Sequence, residues 1–399
     1  VDFRYIMAFV LVLINAIHFM VINFFEIPGN FYETAIEHYE TELEIIYYGI
    51  AILSTFCYPM IARKISLKYT LITALLCDLL GLFMIWLCTF TGGTYIFALL
   101  ATLFKATAFL TVTISAITYL VLEFPKTLIA SIMALFAFGD VGGILANLLF
   151  TALTGTQYGI GFFLLSTVLL VGLIWYIAAT FLDPQFPKHL QKLRKGSLIW
   201  KEFHYRLAFF LLAGICYGFT ESVFSGWSEI YLLKFLPQDF VTATVSLYWL
   251  AMLVGKFILL IPAYFLPVHR LFPLLIMATI GSIIFIQGQS QFTGVLLGFG
   301  LAGISLAAVM PIIIGTMEGE IITSSKLSHR NNYLPFIESG TALIIGSHFC
   351  GVGLMSLYLQ FSTDIASLAF FHWAILIAAA IGLIVSFLHW SGNGEPTHG

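Results

Sequence analysis

The chain has 399 residues, of which 60% are hydrophobic and only 9% are Asp, Glu, Lys or Arg, for a formal net charge of −3. A soluble surface needs roughly 25% charged residues, so this composition excludes a soluble globular protein and makes lipid the solvent for most of the chain. It also supplies no strongly basic face for nucleic acid, and no such partner is expected.

A helix needs about 20 apolar residues to cross the hydrocarbon. Twelve such stretches follow one another, at 3 to 25, 43 to 62, 69 to 90, 94 to 122, 127 to 153, 157 to 182, 205 to 233, 240 to 265, 271 to 289, 293 to 317, 333 to 360 and 365 to 390. Backbone groups in lipid must be satisfied within their own segment, so each stretch is expected to be a helix and the fold an all-α membrane protein. The first stretch is too long for a cleavable signal, lacks a small-residue cleavage site and reads as a true first helix. In it Asn15, His18, Ile22 and Glu26 form one stripe, which puts two uncharged polar groups near the midplane. The gap from 26 to 44 holds Glu26, Glu33, Glu37, Glu40, Glu42 and Glu44 and reads as a solvated acidic loop.

A charge at the centre of a membrane helix costs about 2.5 to 3.5 kcal/mol, so each one kept there invites a functional reading. Asp78 in the third stretch and Lys105 in the fourth have matching depths on neighbouring antiparallel helices. They are expected to meet, either as a structural ion pair or as a gating or substrate-linked pair. Asp140 in the fifth stretch has Gly143 and Asn147 near the same face, a polar stripe turned toward the bundle interior.

The longest polar stretch, 183 to 205, carries Pro184, Pro187, Lys188, Lys192, Arg194 and Lys195. It divides the chain into six-helix domains at 1–183 and 205–399 with a cytoplasmic linker at 184–204, where Leu190, Leu193, Leu198, Ile199 and Trp200 leave room for a short surface helix. Paired six-helix bundles with a midplane site are a recurring transporter architecture. The halves share little identity, but a Tyr/Pro and basic junction follows both the second stretch (Tyr58, Pro59, Arg63) and the eighth (Tyr264, Pro267, Arg270). The fifth and eleventh stretches share glycine-rich middles, Gly139, Gly142 and Gly143 in one and Gly346, Gly351 and Gly353 in the other, where small residues let helices approach closely.

In the seventh stretch Glu221 has Gly214, Tyr217, Gly218, Phe224, Ser225 and Ser228 broadly on one side, as a helix lining a wet cavity would. A carboxylate there could accept hydrogen bonds from a hydroxylated or cationic solute, or carry a proton. Lys256 in the eighth stretch is expected to anchor its cytoplasmic part by snorkelling. Glu338 opens the eleventh near the cytoplasmic interface, a placement suited to structure or gating. His18 and His348 can titrate near neutral pH and are candidates for coupling, with His372 a weaker one.

The run Tyr217-Gly218-Phe219-Thr220-Glu221-Ser222-Val223-Phe224-Ser225-Gly226-Trp227, followed by Tyr231, resembles a segment of the fucose permease-like branch of the major facilitator superfamily. Ser246, Trp249, Gly255 and Lys256 resemble that branch's Trp followed by Gly-Arg, with Lys in place of Arg. Gly300, Gly303 and Pro311, and the basic segment Pro59 to Lys68, are similar to general features of the superfamily. The resemblance implies a major facilitator fold and a secondary transporter that alternates access, in that branch usually a proton-coupled sugar importer. Trp227 and Trp249 join the candidate substrate site through these motifs, since an aromatic ring stacks against a sugar face or a cation. The branch's fucose carriers place carboxylates in the first and fourth helices, where this chain has Asn15 and His18, and Lys105.

Of 17 basic residues, 14 fall in alternate gaps: Arg4, those in 63 to 68, Lys126, those in 188 to 206, Arg270, Lys326 and Arg330. Cytoplasmic loops retain Lys and Arg, so both termini are expected in the cytoplasm. The five cysteines all lie within apolar stretches without paired metal-ligand spacing, so neither a disulfide framework nor a metal site is implied. With no phosphate loop, zinc motif or nucleophile elbow, no cofactor and no enzyme are expected, and the loops leave no room for a nucleotide-binding domain.

The sequence thus points to a proton-coupled importer of a small polar, sugar-like solute. Asn15, His18, Asp140, Glu221, Trp227 and Trp249 are expected at the substrate, and Asp78, Lys105, Glu221, Glu338 and His348 at coupling or gating. An exporter of a drug-like compound or metabolite is the alternative, and a non-transporting receptor another. The expected setting is a bacterial inner membrane, with a lipid bilayer, a small solute and protons as partners and a monomer as the working unit.

Overall fold

A computed structural model of the chain describes residues 3–24, 39–62, 64–65, 67–152, 158–180, 205–227, 232–233, 236–266, 268–288, 291–327 and 334–361, with 380 and 383. Among these residues the regular structure is helical, with no strand. The helices are α1 (Phe3–Phe24), α2 (Glu40–Ala62), α3 (Leu67–Phe90), α4 (Tyr95–Glu123), α5 (Leu128–Ala152), α6 (Tyr158–Thr180), α7 (Tyr205–Ser222), α8 (Gln238–Phe265), α9 (Val268–Gln287), α10 (Phe292–Leu306), α11 (Val309–Leu327) and α12 (Leu334–Phe361).

Ten spans among the described residues are long and apolar enough to cross a membrane, α10 and α11 together supplying one of them, Phe292–Ile322. The protein is an integral membrane protein. Of the twelve expected spans, the last falls outside the described residues except for the helical, buried Ala380 and Leu383. The proposed surface helix within 184–204 and most of the acidic loop also lie outside them.

Burial follows the logic of a lipid solvent. In α1 the buried residues Met7, Leu11, Ile14 and His18 recur at three- and four-residue intervals, while Phe9 and Leu13 on the other face are exposed. On α3, Phe83, Trp86 and Phe90 form an exposed ladder, with stacked ring centroids 5.9 and 5.5 Å apart. Four threonine hydroxyls of α4 are satisfied within the helix, Thr102, Thr107, Thr111 and Thr118 each donating to the carbonyl four residues back.

Helix ends obey local chemistry. Gly92 has φ +70°, and the Gly92 and Gly93 amides donate to the Thr89 and Cys88 carbonyls, which makes a Schellman turn between α3 and α4 that only a residue tolerant of positive φ closes without strain. The break between α10 and α11 follows from Pro311, whose ring excludes the carbonyl of Ala307 four residues earlier. Beyond that break the helix runs on to Leu327, past the expected end at 317, and takes Glu318 into the interior, fully buried.

The chain forms two compact units. The first comprises Val1–Pro125, Leu135–Leu198 and Ser324–Ala342; the second comprises Lys126–Ala134, Ile199–Thr323 and Leu343–Gly399.

Candidate functional site

Two helix crossings, one in each unit, are built in the same register. In the first unit Gly142 of α5 lies against the carbonyl of Ala16 in α1, so close that a Cβ on Gly142 would collide with it. In the second unit Gly351 of α12 lies against the carbonyl of Ile215 in α7 in the same way. The match extends along both pairs. Asn15 donates from Nδ2 to the Leu135 carbonyl at 2.9 Å. At the corresponding place Gly214 leaves room for Ser347, whose Oγ donates to the Ile344 carbonyl at 2.7 Å. Gly139 faces Phe19, and correspondingly Gly218 faces His348. The glycine-rich middles seen in the fifth and eleventh stretches are therefore the contact points of α1 with α5 and of α7 with α12.

The second-unit crossing carries the chemistry. Nε2 of His348 stands 3.4 Å from Oε2 of Glu221, and the two side chains are 19% and 15% exposed. The ring of Tyr217, one turn before Glu221, lies over the imidazole at 5.4 Å between centroids and 35° between planes. Immediately after this pair α7 loosens: Ser225 donates from Oγ to the Glu221 carbonyl at 3.0 Å, and Val223–Trp227 form a π-helical turn. Such turns mark places where a helix trades regularity for function. Phe224 within the turn stacks on Tyr248 of α8 at 5.3 Å.

The first unit holds a different carboxylate–imidazole pair. Nδ1 of His18 lies 2.6 Å from Oδ2 of Asp78 with the side chains 0% and 1% exposed. The ring also stacks on Phe109 of α4 at 5.8 Å. Asp78 was expected beside Lys105; the partner the structure gives it is His18. Gly81 brings the α4 backbone in at Phe104 and Lys105, one turn of α3 beyond Asp78, and the Lys105 ammonium lies 5.3 Å over the Tyr47 ring of α2.

Other expectations are also revised by burial. Glu338 is buried, not at a hydrated interface, and Lys256 is buried where a snorkelling head would be exposed. Trp249 is 42% exposed and meets Tyr248 edge-on at 5.4 Å, so the buried aromatic of this part of α8 is Tyr248. Asp140 is partly buried on α5, next to Gly139. The side chains of Trp227 and Asn147 lie outside the described residues. Tyr217 and Tyr248 had not been singled out as site residues, although Tyr217 stands four residues before Glu221 on the same face. Among the described residues no group of three His, Cys, Asp or Glu side chains is placed to hold a metal ion.

No protein-family model matches the sequence, and no curated protein matches it. Solved structures do match in fold over nearly the whole chain. The E. coli fucose:proton symporter FucP aligns with a TM-score of 0.74 at 15% identity, covering 98% of this chain and 99% of its own. A bacterial homologue of the iron transporter ferroportin, in an outward-facing state, aligns with a TM-score of 0.75 at 13% identity, covering 97% and 99%. The human organic anion transporter MFSD10 aligns at 0.69 and 10%, covering 96% and 99%. The shared architecture is the major facilitator fold, which the motifs of the seventh and eighth stretches had implied.

Proposed function

We propose that this protein is a secondary active transporter that imports a small polar, sugar-like solute by alternating access, driven by protons, with Glu221 as the proton-linked group. The observation that carries the reading is the Glu221–His348 pair: an intramembrane carboxylate, partly open, facing an imidazole across a glycine-packed crossing beside a π-turn. A charge kept at such a place needs a purpose beyond packing. The fold likeness to a fucose:proton symporter supports transport and favours symport. Tyr217, buried and tilted against His348, backs the pair from within α7. Asn15, Asp140, Trp227 and Trp249 remain proposed solute contacts, with Lys105, Glu338 and Asp78 in gating or support.

In this reading the halves 1–183 and 205–399 move as the two rocking bodies. Both termini are cytoplasmic and the protein works as a monomer in a bacterial inner membrane. Thermal stabilisation of the purified protein by a panel of monosaccharides, polyols and organic cations identifies the solute class. Uptake of the stabilising compound into proteoliposomes with an alkaline interior then tests import. Expulsion of that compound against an acid exterior, without accumulation inside, would overturn the direction.

A further inference from the structure

We propose that His348 is the positioning residue of the Glu221 site: a neutral imidazole, protonated on Nε2 alone, that donates to the Glu221 carboxylate and takes no transported proton itself. The inference rests on the reading of Glu221 as the proton-linked group.

The surroundings of the ring determine its protonation. Nε2 faces the carboxylate at 3.4 Å. Nδ1 is buried and has no hydrogen-bond partner. It is walled off by Gly218, where a Cβ would stand 3.1 Å from it. A proton on Nδ1 would be a buried donor with no acceptor, and in the imidazolium a buried charge as well, whereas an unshared lone pair there is the smaller loss. The tautomer with hydrogen on Nε2 is the one that meets the carboxylate. His18 follows the same rule with its nitrogens exchanged: Nδ1 faces Asp78 and the buried Nε2 has no partner.

Access separates the two pairs. The His18–Asp78 pair is sealed, while Glu221 and His348 are both partly open. The separation of 3.4 Å is also about 0.5 Å longer than a fully formed N–H···O bond. The partly open carboxylate is thus steadied by a long contact, and it can turn to a solute hydroxyl or accept a proton while the imidazole stays fixed between Tyr217 and Gly218. Among the described residues, the titratable groups that meet at this crossing are Glu221 and Tyr217 from α7 and His348 from α12, with Cys216 and Cys350 flanking them in sequence.

The test is nuclear magnetic resonance on the full-length protein in lipid nanodiscs, labelled with 15N-histidine and 13C-glutamate, with signals assigned by subtraction in His348→Gln and Glu221→Gln. From pH 5 to pH 8 the His348 ring is expected to keep one proton, on Nε2, while the Glu221 carboxyl titrates. His348→Gln, whose amide donates from a similar place, is expected to keep the Glu221 midpoint, and His348→Leu to displace it by about a pH unit or more. A His348 ring that becomes doubly protonated in this range, or that carries its proton on Nδ1, overturns the inference. So does a Glu221 midpoint unmoved by His348→Leu. A Glu221 that stays ionised throughout, beside a neutral His348, instead sinks the reading of Glu221 as the proton-linked group.

Discussion

Nδ1 of His18 and Oδ2 of Asp78 meet at 2.6 Å with both side chains sealed from solvent, and they tie α1 to α3 across the interior of the first unit. Removing one partner leaves the other buried and alone, at a cost of about 3 to 5 kcal/mol. Asp78→Leu and His18→Leu are therefore each expected to lower the melting temperature strongly. The double replacement His18→Leu with Asp78→Leu is expected to be milder than the sum, because apolar partners of similar shape leave nothing unsatisfied. Thermal denaturation of the four proteins in detergent closes this cycle.

Lys105 belongs to a separate contact. The Lys105–Tyr47 cation–π contact is of a kind worth about 0.5 to 2 kcal/mol, so Tyr47→Phe is expected to retain most of it and Tyr47→Leu to lose it. In a double-mutant cycle, Lys105→Met is expected to couple more strongly to Tyr47→Leu than to Asp78→Asn. A dominant Lys105–Asp78 coupling would restore the pairing that their depths in the sequence suggested.

The matched crossings make a prediction about two glycines. Gly142→Ala and Gly351→Ala each drive a methyl group into a carbonyl on the facing helix, an overpacking expected to cost about 1 to 3 kcal/mol. Gly172→Ala in α6 meets nothing within 4 Å and is expected to be neutral or slightly stabilising. Melting temperatures measured side by side distinguish close packing from a general dislike of lost helical glycine.

Tyr217 is expected to support the site through its ring, which lies tilted against His348 at 5.4 Å between centroids. Tyr217→Phe is expected to leave solute affinity nearly unchanged, and Tyr217→Leu to weaken it by about two- to tenfold, in line with an aromatic contact of about 0.5 to 1.5 kcal/mol. Titration calorimetry with the stabilising compound reads both.

The ten spans found among the described residues were legible in the sequence because hydropathy over 20 residues needs no tertiary information. The close contacts of α5 and α12 were foreshadowed by their glycines, and Glu221 and His348 stood out as titratable groups in lipid. Their meeting did not, because it depends on the register in which α7 and α12 cross. Asp78 was assigned the wrong neighbour for a related reason: depth along a helix says nothing of rotation about it, and His18, 60 residues away, faces it from another helix. Glu318 was missed because the charges from 318 to 326 resemble a loop, although the helix that carries them continues through the interior. Tyr217 was legible in spacing, one turn from Glu221, but an aromatic in a chain with 39 Phe gives little signal until a partner is seen.

The most direct test of Glu221 as the coupling group is accumulation in proteoliposomes. Wild-type protein with an alkaline interior is expected to concentrate the stabilising solute inside, and Glu221→Gln is expected to let that solute only equilibrate, while still exchanging it across the membrane. Accumulation by Glu221→Gln to the wild-type level under the same proton gradient would contradict the account.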